Sequence, residues 1–238
     1  MHVDFGKFPK VVQYKRALDD PRIEVPEGSY LLTEKMDGAN AGVVKMVDGY
    51  LLHSRNTILA LIGYENSERD HVYNEFRGFV QYVKDRLDIP GFANMEDGDH
   101  YFGEWLVPHT IKYPTSMYQQ FYLFDPHFHQ LLDWGDVPVV RDLGYLKNPS
   151  IQELITHAEE LRDDLDRPME GVVLQPTTEM MDPFVSRFKY VFPEFKEEVA
   201  GKWQVKKQLN QMSVEERLAA EYPGRAIVKI IEKVADEV

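Results

Sequence analysis

The chain predicts an α+β fold of antiparallel strands flanked by helices. One observation is a hairpin: Asn40 to Met46 and Tyr50 to Ser54 are apolar-rich runs joined by Asp48-Gly49, a two-residue turn signal. The other is a change of period. Val72, Phe76, Phe79, Val80, Val83 and Leu87 recur at helical spacing behind Ser67-Glu-Arg-Asp70. Ile151, Leu154, Ile155, Ala158, Leu161 and Leu165 do the same behind Ser150 and Glu153, which form a capping box.

The remaining elements follow in order. Residues 5–20 hold Val11, Val12, Tyr14 and Leu18 in a segment of no definite type, and Asp19-Asp-Pro-Arg22 and Pro26-Glu-Gly28 are turns. Tyr30 to Glu34 is a strand. The hairpin brings Ser54-Arg55-Asn56 back to the level of Asn40. Pro90-Gly91 closes the first helix, and His100 to Leu106 and Phe121 to Asp125 are strands. Glu170-Gly-Val-Val-Leu174 is a buried strand headed by a carboxylate. Val185 to Tyr190 alternates, with Arg187 and Lys189 on one face. Beyond it, Ser213 and Glu216 cap a short helix to Tyr222, Pro223-Gly224 breaks it, and Arg225 to Val238 is one more amphipathic helix. Residues 1–200 are thus expected to form the main domain and 201–238 a short helical extension.

Composition narrows the function. No apolar run is long enough to span a membrane, Met1 to Lys7 lacks the layout of a signal peptide, and there are no cysteines. The expected setting is cytoplasmic, without disulfides or thiolate metal sites. A formal net charge of −13 is unusual for a protein that grips phosphates. Its acid is concentrated in helical stretches, among them Glu159, Glu160, Asp163, Asp164 and Asp166, so a basic surface can form elsewhere.

The chemistry centres on Lys35, at the end of the strand from Tyr30. A lysine is costly to bury without a partner. A desolvated amine beside other cations becomes a nucleophile. Gly38, after Asp37, lets the backbone approach a ligand closely. Lys-x-Asp-Gly alone carries little weight, since a solvated hairpin turn looks the same. What adds weight is that other strand ends supply Arg55, Glu104, Glu170, Arg187 and Lys189. Cations neutralise triphosphate oxygens and the charge on departing pyrophosphate. Carboxylates accept hydrogen bonds from ribose or hold a hydrated Mg²⁺. Phe124 offers a ring for a base. His127 and His129 share a strand face, but a third zinc ligand is missing. Met180-Met181 reads as packing.

In their order and separations, Glu34-Lys-Met-Asp-Gly-Ala-Asn40, Ser54-Arg55, Phe102-Gly-Glu104, Phe121-Tyr-Leu-Phe-Asp125, Glu170-Gly-Val-Val-Leu-Gln-Pro176 and Arg187-Phe-Lys189 resemble the covalent nucleotidyltransferase superfamily. Within it they resemble most the ATP-dependent type 2 RNA ligases. The resemblance implies an ATP-grasp-like adenylyltransferase domain that uses ATP and Mg²⁺, or Mn²⁺. Lys35 would carry AMP as a phosphoramidate and pass it to an RNA 5′-phosphate, and a 3′-hydroxyl would then seal the strand. The RNA ends would come from a nicked duplex or from single strands. The resemblance further implies that Glu34 contacts the adenine side and Phe124 stacks on it, Glu104 binds the ribose, and Asn40 serves the phosphate region. Arg55 would address the phosphates, Glu170 the phosphates and metal, and Lys189 the α-phosphate. Asp37 and Arg187 complete the nucleotide-binding set.

The chain departs from the family pattern in three places. Asp37, as in DNA ligases and capping enzymes, stands where type 2 RNA ligases often carry histidine. Arg187 replaces the first of two usual lysines. The stretch after the last motif is shorter than an oligonucleotide-binding-fold domain, which leaves 5′-phosphate recognition open. The alternatives are therefore a minimal DNA ligase, a GTP-using capping-type enzyme, or a module that binds a nucleotide or RNA end without sealing.

Overall fold

Two β-sheets carry the molecule, seen in a computed structural model that describes residues 11–63, 70–124, 137–165, 167–177 and 187–195. The first has five strands in the order β1 (Val12–Gln13), β11 (Phe188–Val191), β10 (Gly171–Pro176), β2 (Ser29–Lys35) and β9 (Asp142–Lys147). The second has six, in the order β6 (His71–Val72), β5 (Ile58–Ile62), β4 (Gly49–Ser54), β3 (Ala39–Met46), β7 (His100–Trp105) and β8 (Phe121–Leu123). All strand pairs are antiparallel except β1 with β11. The helices are α1 (Tyr14–Asp19), α2 (Phe79–Lys84), α3 (Pro90–Ala93) and α4 (Ile151–Asp164). One compact unit runs to Phe192.

Alternation along the strands decides the faces. In the six-stranded sheet, Ala41 and Val43 of β3, Leu52 of β4 and Trp105 of β7 point to a core shared with Phe79, Val80 and Val83 of α2. Asn40, Gly42, His53, Phe102 and Glu104 have the opposite parity. In the five-stranded sheet, Tyr14 of α1 packs edge-on against Tyr30 and Phe188 and donates its hydroxyl to Pro149 O, 2.7 Å away, just before α4. At the other end of α4, Arg162 lies over Phe192 at 4.5 Å.

Several expectations shift. The hairpin forms, but Met46 pairs with Gly49, so Val47 and Asp48 make its tip, one residue earlier than the Asp-Gly signal suggested. The first helix starts late. Asn74 Oδ1 accepts the Phe76 N–H at 2.7 Å, and Phe76, Arg77 and Gly78 all take positive φ, so helical geometry begins only at Phe79. Side chains that hydrogen-bond nearby backbone compete with helix. Arg77 O in turn accepts from Trp105 Nε1 at 3.4 Å. The capping box at Ser150 and Glu153 is present with both bonds. Asp125, His127, His129, Met180, Met181 and the helices expected after residue 201 lie outside the described residues.

Gly171 marks where β10 cannot carry a side chain. A Cβ there would lie 2.0 Å from Tyr190 O and 2.9 Å from Val191 Cα, both backbone atoms of a paired strand. Gly171→Ala is therefore expected to lower thermal stability by at least about 1–3 kcal/mol through overpacking, and to displace the adjacent Glu170. A melting temperature equal to that of the native chain would contradict this.

Candidate active site

The end of β2 opens into a cavity of about 520 Å³ that takes its walls from both sheets. From the five-stranded sheet come Thr33, Glu34, Lys35, Val173, Gln175, Arg187 and Lys189. Register explains this grouping: Thr33 pairs with Val173 and Val173 with Lys189, so the three form one cross-strand row beside Lys35. Arg187 is 2% exposed, and its Nε donates to Gln175 Oε1 at 3.2 Å, which fixes the guanidinium in the wall. From the six-stranded sheet come Asn40 and Glu104, direct partners across β3 and β7, with Phe124 following β8. The turn from Ser54 to Thr57, closed by Ser54 N–H to Thr57 O at 2.8 Å, contributes Arg55 and Asn56.

Lys35 is half-buried, and its Nζ lies 2.5 Å from Glu170 Oε2. Backbone joins the two residues as well, with Glu170 N–H donating to Lys35 O at 3.2 Å. The sequence reading expected cations around this amine. Lys189 does share the cavity, but the group in contact with Nζ is a carboxylate.

Glu104 accepts the Gly38 N–H at 3.0 Å. Gly38 is required here for space, because a Cβ would come within 2.7 Å of Trp105 O and 3.0 Å of Glu104 Cγ. Burial pushes the Glu104 carboxyl up to about 7, with Glu170 and Asp37 adding to the rise and Lys35 and the Gly38 N–H opposing it. A carboxyl raised in the folded state binds its proton where the unfolded chain has already released it. Stability therefore falls as pH rises from about 4.5 towards 7 and levels off above. Glu104→Gln keeps an acceptor for Gly38 and cannot ionise. It is expected to melt higher than the native chain at pH 8, with the gap closing towards pH 5. Parallel melting curves at both pH values would contradict this.

Asn40 Oδ1 is buried without a hydrogen-bond partner. Such an atom costs about 1–3 kcal/mol, and it belongs to a residue that lines the cavity.

Asp37, grouped with the nucleotide-binding residues on sequence, is not among those lining the cavity. Its carboxylate accepts from Thr110 N–H and Ile111 N–H, both at 2.8 Å, and meets His109 Nδ1 at 2.6 Å. Its own N–H donates to Tyr113 Oη at 3.0 Å. Asp37 thus clamps the 109–113 loop behind the Lys35 turn. Glu170 is also absent from the cavity lining and reaches it through Lys35.

Sequence reasoning missed Gln175, Phe76 and Arg167. Gln175 has a signal, since it alternates with Val173 on the strand that Glu170 heads. Phe76 reads as helical core, yet it lines the cavity at a left-handed turn. Arg167 has no local signal: it forks the carboxylate of Glu34, a residue 133 positions away. Among the described residues, no three His, Cys, Asp or Glu side chains converge as a metal cluster.

A family model described as RNA ligase matches residues 28–191. Among solved structures, the chain is similar to Naegleria gruberi RNA ligase with pyrophosphate, at 17% identity and a TM-score of 0.55. An apo mutant of that enzyme gives 18% and 0.57, and each match covers 83% of this chain and 59% of the other. A mutant with ATP and Mn gives 15% and 0.53. At these identities the likeness shows the fold, and the chain spans about three fifths of the length of those enzymes. No curated protein matches. The family model covers the whole stretch from β2 to β11, including Lys35 and every other residue placed around the cavity except Val11, and the chain therefore belongs to the RNA ligase family.

Proposed function

We propose that the chain is an ATP-dependent RNA ligase that works through AMP bound covalently to Lys35. The observation that carries this reading is a cavity that brings Lys35 together with Arg55, Arg187 and Lys189, with Glu170 against the amine. As Nζ, in its neutral amine form, bonds to the α-phosphorus, the bond from that phosphorus to the pyrophosphate oxygen breaks. The amine proton passes to Glu170. An oxygen of an RNA 5′-phosphate then attacks the same phosphorus, and Nζ leaves, taking a proton back. Last, the oxygen of a 3′-hydroxyl bonds to the RNA phosphorus, the bond from that phosphorus to the AMP oxygen breaks, and the hydroxyl proton goes to solvent as AMP departs.

Within this reading Arg55, Arg187 and Lys189 neutralise the phosphates, Lys189 nearest the α-phosphate. Asn40 serves the phosphate region, Glu104 the ribose, and Glu34 and Phe124 the adenine. Asp37 acts at one remove, by holding the loop behind the nucleophile. A divalent ion, Mg²⁺ or Mn²⁺, would be held by Glu170 when the nucleotide is bound. It supplies charge neutralisation on the phosphates. We place the nucleotidyltransferase domain at residues 1–200 and a helical extension at 201–238. We place its action in the cytoplasm, in keeping with the lack of cysteine and of any described helix long and apolar enough to cross a membrane.

The test is incubation with α-labelled ATP or GTP and Mg²⁺, followed by a nicked duplex bearing a 5′-phosphate. Label from ATP that an RNA nick chases off supports the proposal. Label from GTP, or a chase by DNA alone, favours the capping-type or DNA-ligase reading. Binding of ATP without adduct formation overturns sealing altogether.

A further inference from the structure

Glu34 is 1% exposed, immediately precedes the nucleophile, and forms part of the cavity wall. A carboxylate that deep requires a partner. Arg167 supplies it as a two-toothed fork, Nε to Oε1 at 3.2 Å and Nη2 to Oε2. Arg167 itself does not line the cavity. Its Nη1 lies 3.6 Å from Met117 Sδ, which ties the pair to the turn before β8. Its contact with the cavity wall runs through Glu34.

An ionised carboxylate only accepts hydrogen bonds, at about four lone-pair positions. A parallel fork occupies the two on its outer edge. The two that remain point sideways from different oxygens and diverge. Guanine presents an adjacent pair of donors, its ring N–H and its exocyclic amine, which fit the outer edge of a free carboxylate together. Adenine presents a single exocyclic amine, which needs one lateral position.

We propose that Arg167 determines nucleobase specificity at this site: by forking Glu34 it leaves that carboxylate able to take a single N–H donor at a lateral position but not an adjacent pair along its edge, and so selects adenine over guanine. The inference rests on the ATP-dependent reading above and deepens it. Arg167 is a positioning residue, and the planar shape of its guanidinium matters as much as its charge.

The test measures equilibrium binding of the α,β-methylene analogues of ATP and GTP, which cannot transfer a nucleotide. The native chain, Arg167→Met and Arg167→Lys are compared. Both variants are expected to lose at least about tenfold of the ATP-over-GTP preference, the order expected when a polar match is removed. Lysine keeps the charge without the fork, so its failure to restore the preference separates geometry from simple charge balance. A preference unchanged within about twofold in both variants overturns the inference. Should Arg167→Met fail to melt cooperatively, Arg167→Lys decides alone, and retention of the preference there overturns it. In parallel, natural α-labelled ATP is added to the native chain. An adduct together with an unchanged preference overturns only the role of Arg167, whereas no adduct overturns the ligase reading and this inference with it.

Discussion

Lys35→Ala and Lys35→Arg are each expected to abolish labelled protein–AMP. Alanine removes the only amine at the end of β2. Arginine keeps a cation facing Glu170 but cannot give up its proton at neutral pH. The pair of variants separates chemistry from folding, because arginine leaves the anion of Glu170 with a counter-charge. Both variants should melt as single cooperative units, and labelled ATP followed by denaturing electrophoresis reads the adduct. An adduct that persists in Lys35→Ala would disprove the assignment.

Glu170→Gln is expected to slow adduct formation by about 10²–10⁴-fold at neutral pH, the range for losing a positioned proton acceptor. Nζ lies 2.5 Å from Glu170 Oε2, so the carboxylate is the acceptor in contact with the amine. Glutamine preserves size and a hydrogen-bonding oxygen but does not take the proton. The rate in Glu170→Gln should therefore climb more steeply with pH than in the native chain, as hydroxide and buffer take over. Single-turnover rates between pH 6 and 9 check this (an experimental range about the usual catalytic optimum). A rate within a few-fold of native at pH 7 would contradict the proton-acceptor role, and one restored by added Mg²⁺ with no change in pH profile would leave Glu170 the metal role alone.

Much of this site was legible in the sequence because strands convert order into position. Lys35, Glu104, Glu170 and Lys189 sit at strand ends or at alternating positions, and a period of two states which of them share a face. Arg187 and Lys189 were placed on one face for that reason, and both line the cavity. What the sequence hid depends on long-range geometry. Nothing near Arg167 announces that it reaches Glu34, and the carboxylate of Asp37 looked like a ligand group until the 109–113 loop was seen folded onto it. Phe76 carries a misleading period: its spacing from Phe79 and Val83 is helical, but the bond from its N–H to the Asn74 side chain and its positive φ hold it outside a helix that begins only at Phe79. The identity of the partner of Lys35 was also hidden. Alternation puts Lys189 in the same cavity, yet the backbone bond from Glu170 N–H to Lys35 O is what brings the carboxylate into contact.

The measurement that bears most directly on the account is the location of the adduct. The native chain, incubated with ATP and Mg²⁺, is digested under conditions that spare phosphoramidates, and the modified peptide is sequenced by mass spectrometry. The account predicts AMP on the peptide Glu34-Lys35-Met36, attached at Lys35 and released by acid. AMP on Lys189 or on any other residue would contradict it.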